Sequence, residues 1–395
     1  MRDNCPTCDN PATIRAPYIR VAPDTHEKLS ILSQESQYDL ACACGINETD
    51  ARRRSKDDKW IYPVTFENGR KTFLFKTLVS NECINNCRYC PLRARIDSRR
   101  CTLTPEETAN AFLQYYRARR VQGIFLTSGV TGTPDDTMYR IISTASILRR
   151  GGFKGYMHLK VIPGASDAAI EQAVSLASAV SVNIETAGEE HFKKLSSSKN
   201  YLDDIIRPMK LISRLTQPET RYSRVHQTTQ FVVGASDETD KEIVTYSWGL
   251  YKRMGLSRVY FSAYQRGLGD PDLPGERSPL TNTDLLNREH RLYQTDWLIR
   301  KYGFSDNEIP FESDGNLSLT VDPKELWAVR HPDLFPIDIN RADKYELLRV
   351  PGLGPVTVNT ILRMRKNGSK IRSMDTLGTV GKRLSKAKEY VKFGY

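Results

Sequence analysis

Residues 72–90 read TFLFKTLVSNECINNCRYC, a nine-residue apolar and β-branched run (72–80) with Cys83, Cys87 and Cys90 placed directly after it. The run predicts a buried strand, and the cysteines fall in the loop that leaves its C-terminal end. Five further runs repeat the pattern: 121–129, 155–164, 178–186, 226–236 and 257–265. Helical segments separate them, such as TPEETANAFLQYYRARR (104–120), with Thr104 as N-cap, Pro105 in the first turn and Glu106 and Glu107 near the positive end of the helix. Six strand-helix repeats imply parallel strands joined by right-handed crossovers, an α/β fold forming an open or partly closed barrel. Functional residues in such folds belong at the C-terminal strand ends, where the three cysteines lie.

The remainder of the chain frames that barrel. The 395 residues suffice for several domains, and 39% hydrophobic content is ordinary for a folded protein. The N-terminus lacks the apolar centre of a secretory signal, and no apolar run approaches a membrane span, so a cytoplasmic protein with no membrane partner is expected. Residues 1–70 read as a Cys-containing N-terminal extension, with a helical stretch opened by Asp24 or Thr25. Residues 71–270 hold the barrel. Residues 271–335 form a helical and loop connection containing the amphipathic TDLLNREHRLYQTDWLIRKYGF (283–304), and residues 336–395 form a basic module. Between 330 and 395 there are 14 Lys and Arg against 6 Asp and Glu; this +8 leaves +3 of the total +11 for the rest. Such a module suits either a polyanion, through release of phosphate counterions, or a merely solvated basic face.

Three thiols are one short of a closed four-ligand site, and thiolates suit zinc and iron-sulfur clusters alike. Cys101 offers a fourth, but eleven residues on its spacing is not that of a common zinc ribbon. The spacing C-x3-C-x-aromatic-C, here Cys83, Cys87, Tyr89 and Cys90, resembles the radical S-adenosylmethionine (SAM) enzymes. That resemblance implies a partial (β/α)6 barrel and a [4Fe-4S] cluster on three cysteines, whose fourth iron binds SAM. It also implies an electron donor such as flavodoxin or ferredoxin. The cofactor-binding residues it implies are Tyr89; Ser128, Gly129 and Val130 in LTSGV; Asn183 and Glu185 in VNIET, toward the ribose; and Val233 and Gly234 in FVVGASDETD, as backbone contacts toward the adenine. The LTSGV turn departs from the usual Gly-Gly-Glu form.

Other residues have less specific readings. His158 and Lys160 share a strand face, His158 as a hydrogen-bonded interior residue and Lys160 as a catalytic or cofactor candidate. Cys101 is a candidate hydrogen donor. Cys5, Cys8, Cys42 and Cys44 are a candidate second metal site. Arg93 and Arg95 are expected at the barrel mouth.

In the basic module, RADKYELLRV runs into PGLGP and then VTVNTILRMRK. Gly352 and Gly354 permit a tight hairpin, and the amides opening the second helix present an anion site. The segment resembles the helix-hairpin-helix motif, a small all-α unit that grips nucleic-acid backbone. Gly352, Gly354, Arg363, Arg365 and Lys366 are the implied binding residues. A weaker second copy spans 374–391, with Gly378 and Gly381 at its hairpin and Lys382, Arg383 and Lys386 beside it. Together the blocks GIFLTSGV, GYMHLKVIPGAS, SVNIET, REHRLYQTDWLIRKYGF and RVPGLGP resemble radical SAM proteins of DNA modification and repair with a C-terminal helix-hairpin-helix. The resemblance implies DNA as the favoured partner, with a uracil-DNA-glycosylase-like protein as a partner by association. RNA modification by the same chemistry, or a non-catalytic metal-stabilised nucleic-acid-binding protein, are the alternatives.

Overall fold

The computed structural model describes residues 23–36, 59–65, 71–378 and 381–394, without the side chains of Thr65, Lys382 and Arg383. Cys5, Cys8, Cys42 and Cys44 lie outside the described residues. Helix α1 (Thr25–Ser36) is opened by Asp24, whose carboxylate accepts from the Glu27 amide at 2.8 Å. Seven strands then form one curled half-barrel sheet in sequential order: β1 (Ile61–Thr65), β2 (Lys71–Leu78), β3 (Gly123–Thr127), β4 (Tyr156–Lys160), β5 (Ala179–Ser181), β6 (His226–Val233) and β7 (Arg258–Ala263). All neighbours are parallel except β1, which runs antiparallel to β2. The six expected strands are present. Strand β1 was not expected, because it is short and interrupted by Pro63, which an edge strand tolerates.

The crossovers are α2 (Pro105–Arg117), α3 (Pro134–Arg150), α4 (Asp167–Leu176), α5 (Glu189–Leu195), α6 (Arg207–Leu215) and α7 (Asp240–Met254). Thr104, Thr133, Ser166 and Thr239 each cap a helix by accepting a first-turn amide, so the loops leaving the strands have fixed exits. Strand alternation divides the sheet. Ile124, Leu126, Met157, Leu159, Phe231, Val233, Val259 and Phe261 face the helices and are fully buried there, while the alternate residues face the barrel interior.

Strand β7 would be an open edge, and α9 (Asn282–Tyr302), which follows the short α8 (Pro274–Arg277), covers it. The Tyr293 hydroxyl donates to the Phe261 carbonyl (2.9 Å) and accepts the Phe261 amide (3.0 Å). Glu289 accepts the Ala263 amide (2.6 Å), and Tyr251 from α7 accepts that of Val259 (2.9 Å). Alternate edge amides are thus met by side chains instead of a further strand. Replacing Tyr293 by Phe should cost about 1–3 kcal/mol, because it strands a buried amide and carbonyl together. Urea denaturation would show the loss, with the m-value unchanged.

The C-terminal part continues with α10 (Pro323–Arg330), whose Trp327 and Ala328 belong to the main core, and then α11 (Lys344–Arg349), α12 (Pro355–Lys366) and α13 (Lys382–Ala387), around a second core of Ile339, Leu347, Leu348, Leu353, Val358 and Ile361. It is not purely helical: β8 (Ile337–Asp338) pairs in parallel with β9 (Val391–Lys392). The first hairpin is as expected. In the second, a 3-10 turn (Met374–Leu377) stands where a helix was expected, and α13 has only six residues. Among the described residues no helix is long and apolar enough to cross a membrane.

Candidate active site

At the C-terminal ends of the strands lies a cavity of about 1150 Å³ counting its open mouth. Its floor is the inward row of the sheet: Leu78, Thr127, Lys160, Asn183, Glu185, Gln230, Val232 and Ser262. Cys83, Cys87, Tyr89 and Cys90 enter from the loop after β2. That loop is held from three sides. The Ile84 amide donates to the Val130 carbonyl (2.9 Å) and the Arg88 amide to that of Leu195 (2.7 Å), while the Asp270 amide donates to Arg88 (2.8 Å). From within, the Arg100 guanidinium donates to the carbonyls of Asn81, Leu92 (3.1 Å), Arg93 (3.3 Å) and Ile96 (3.0 Å).

Each cysteine sulfur has a polar group turned toward it. The Val130 amide donates to Cys83 Sγ at 3.5 Å and the Leu92 amide to Cys90 Sγ at 3.4 Å. Cys87 Sγ lies 3.9 Å from Ser196 Oγ and is hydrogen-bonded by the Lys199 ammonium. Donors aimed at sulfur favour the thiolate, the form that ligates metal. Burial, reinforced by Cys87, pushes the Cys90 thiol up to about 12, a cost that a positively charged centre reverses. Among the described residues no three Cys, His, Asp or Glu side chains converge closely enough for a single ion. Three thiolates on one loop fit three corners of an iron-sulfur cluster.

Gly129 supplies a second test of fit. A Cβ built there would stand 2.2 Å from the Glu82 carbonyl oxygen and 3.3 Å from the Cys83 Cβ, so only glycine lets the β3 loop meet the cysteine loop. Glu185, 5% exposed, holds φ +69°, a strained conformation for a side-chain-bearing residue. Its amide donates to Gln230 (3.0 Å) and its carbonyl accepts from Val232 (2.7 Å), which fixes it. The Tyr89 hydroxyl donates to the Glu185 carboxylate; burial first, then that carboxylate, raises the phenol and keeps it protonated. Burial opposes the charge on Lys199, but Cys87 and Glu185 overcome it and raise the ammonium.

Most of the expected residues share this cavity: Cys83, Cys87, Tyr89, Cys90, Ser128, Gly129, Val130, Lys160, Asn183 and Glu185. Val233 and Gly234 do not line it. Alternation turns Val232 inward and Val233 outward; the Val233 carbonyl accepts from Tyr264 (2.9 Å) and the Gly234 amide donates to Glu238 (3.0 Å). Cys101 is also elsewhere, its buried thiol turned to the Lys28 carbonyl under α1 (3.8 Å) and raised to about 11 by burial. His158 is the interior residue expected, bonded to Ser181 (2.9 Å) below the cavity floor. Arg93 is spent on the carbonyls of Cys90 (3.0 Å) and Leu268 (2.9 Å), whereas Arg95 is exposed. Sequence reasoning missed Lys199, Gln230, Val232 and Glu35, which come from distant parts of the chain; inward parity was a usable signal for Gln230 and Val232.

At the hairpin, Gly352 takes φ +83° and no side chain caps the start of α12, so the amides of its first turn have no intrahelical partner. Arg363 and Lys366 are exposed on the same helix. Arg365 instead donates to the carbonyls of Ala342 and Arg341 and braces the module. Lys386 pairs with Glu325. The side chains of Lys382 and Arg383 lie outside the described residues. The module seats on α9 and α10: Lys324, 7% exposed, donates to the Leu353 carbonyl (2.6 Å), and Arg349 pairs with Glu308 (2.6 Å).

Residues 77–247 match the family model of the radical SAM superfamily, and residues 335–388 match that of the helix-hairpin-helix motif. The first match runs from the end of β2 into α7, over 171 of the 395 residues, and the second covers the C-terminal hairpin module. No curated protein matches it. Among solved structures it is similar to the FeFe-hydrogenase maturase HydG from Carboxydothermus hydrogenoformans, at 16% identity and a TM-score of 0.41, over 56% of this chain and 50% of that one. Methylornithine synthase (PylB) is similar at 16% and 0.42, over 57% and 63%. The cobalamin-dependent SAM radical enzyme OxsB is similar at 11% and 0.35, over 78% and 51%. The chain spans about half the length of the first of these structures.

Proposed function

We propose that the protein is a radical SAM enzyme acting on nucleic acid, with DNA favoured as the substrate. The observation that carries the reading is the single cavity in which three donor-supported cysteines meet the inward ends of the parallel strands. Cys83, Cys87 and Cys90 would hold a [4Fe-4S] cluster, beside which SAM binds. The chemistry that such a pair would supply when bound is one-electron reductive cleavage of SAM, seen as release of 5'-deoxyadenosine. The chain's part is positional. Lys160 and Lys199 offer cations for a carboxylate, Asn183 and Glu185 offer polar groups for ribose hydroxyls, and Leu78, Val161, Ile162 and Val232 exclude water from the reacting centre.

The helix-hairpin-helix supports a nucleic-acid substrate, since the open amides after Gly354 and the exposed Arg363 and Lys366 suit phosphates. A base in duplex would have to flip or be single-stranded to enter the cavity. Electrons would come from a flavodoxin or ferredoxin. RNA as the substrate is the second reading, because the hairpin grips backbone common to both nucleic acids.

The test is anaerobic reconstitution with iron and sulfide, then addition of SAM and a reductant. The expected result is 5'-deoxyadenosine, together with salt-sensitive DNA binding that weakens about tenfold or more in R363E/K366E. Stoichiometric zinc with no 5'-deoxyadenosine would overturn the enzyme reading. Unchanged affinity in the double variant would overturn the assignment of the hairpin.

A further inference from the structure

A buried lysine lies directly behind the hairpin. Lys324 stands in the first turn of α10, and its Nζ donates to the Leu353 carbonyl at 2.6 Å, in the turn between α11 and α12. The same Nζ sits 4.5 Å from the centre of the Tyr302 ring, whose hydroxyl lies beneath Gly354. Burying a lysine is unfavourable, and here its one hydrogen bond goes to backbone of the hairpin itself. The carbonyl it holds belongs to the same peptide unit as the Gly354 amide. That unit is trans and planar, so its C=O and N–H point in opposite directions. With an ammonium on the oxygen, the N–H at the start of α12 is fixed facing the other way and polarised into a stronger donor.

We propose that Lys324 is a positioning residue of the hairpin's phosphate site: in its charged form it fixes and polarises the Leu353–Gly354 peptide, and the grip on phosphate weakens when that charge is lost. The inference rests on the nucleic-acid reading, which supplies the phosphate. The surroundings of Lys324 bring that loss of charge into an accessible range. Burial brings the ammonium down to about 7; Asp322, just before α10, opposes this, and Arg349 from α11 adds to it. From the other sides α9 presents the Tyr302 ring, Arg349 is itself paired with Glu308, and Lys386 of α13 pairs with Glu325. A phosphate one peptide plane away favours the ammonium, so binding raises its value. Affinity is therefore full at pH below the free value and declines as pH rises through the raised one.

The experiment measures the affinity of the reconstituted full-length protein for a mixed-sequence DNA duplex at fixed, low ionic strength, from about pH 6 to about pH 9. The wild type should weaken about tenfold over that range, the effect of one unit of difference between free and bound protein. Lys324→Arg keeps its charge throughout and should lose this slope while retaining affinity. Lys324→Met should also be flat, at about the weak level the wild type reaches at high pH. A lysine with a merely structural role would lower affinity on substitution and leave the slope as it was. A flat wild-type profile would overturn the proposal without any variant, and so would a slope that persists in Lys324→Arg, the variant that keeps both the charge and the hydrogen bond. Failure of the wild type to bind duplex at any pH would overturn the nucleic-acid reading itself and this inference with it, an outcome distinct from binding that ignores pH.

Discussion

A variant with Gly129 replaced by valine is expected to fold, to take up no cluster iron, and to form no 5'-deoxyadenosine, a loss as complete as that of Cys87→Ala. The new Cβ would stand 2.2 Å from the Glu82 carbonyl oxygen, well inside contact distance. Neither group can turn away, because both are backbone: the Gly129 amide donates to Ser80 (2.7 Å), and Glu82 is followed directly by Cys83. The clash must therefore displace the loop that carries the cysteines. The β2–β3 ladder ends at Leu78 and Thr127, short of the clash, so the sheet is spared. Iron and sulfide per chain, with circular dichroism for the fold, check this; normal iron content would refute it.

Arg288→Met should lower global stability by about 3–5 kcal/mol, the usual consequence of removing one member of a buried ion pair. Arg288 Nε donates to Asp240 at 2.6 Å, and both groups are buried. The same guanidinium holds the Glu238 carbonyl (2.7 Å), and the other Asp240 oxygen accepts the Leu317 amide (2.9 Å). One arginine thus joins α9, the start of α7 and the segment before α10. Against a total stability of about 5–15 kcal/mol the loss is large. A chemical-denaturation midpoint would show it, and Arg288→Met combined with Asp240→Asn should cost less than the single change, because the stranded carboxylate is then gone.

The parts legible in the sequence were those with a local signal. Six strands showed as apolar β-branched runs, Thr104 as a cap followed by Pro and Glu, and the candidate cluster loop as three cysteines with Tyr89 between. The α9 segment shows where local reading fails. Apolar residues at 285, 286, 292, 293, 297 and 298 suggested an ordinary amphipathic helix, yet Arg288, Glu289 and Asp296 are buried while Trp297 is 36% exposed. The buried polar face exists because α9 meets the hydrogen-bonding edge of a strand, and nothing local announces that neighbour. Val232 was not singled out, although strand parity turns its side chain toward the cavity. Lys199, more than a hundred residues beyond Cys87, and Glu35, 48 before Cys83, are brought in by chain closure, which carries no sequence period.

Helix α9 has 21 residues, about 30 Å end to end. Near one end Leu285 packs against Gly234 at the barrel mouth; at the other, Tyr302 lies under Gly354 and beneath the Lys324 ammonium that holds Leu353. The hairpin and the cavity are thus fixed to opposite ends of one rigid rod. On the proposed nucleic-acid reading, that rod would act as a ruler: for a strand held at Gly352–Gly354, the nucleotide reaching the cavity would be set by its count from the anchored phosphate.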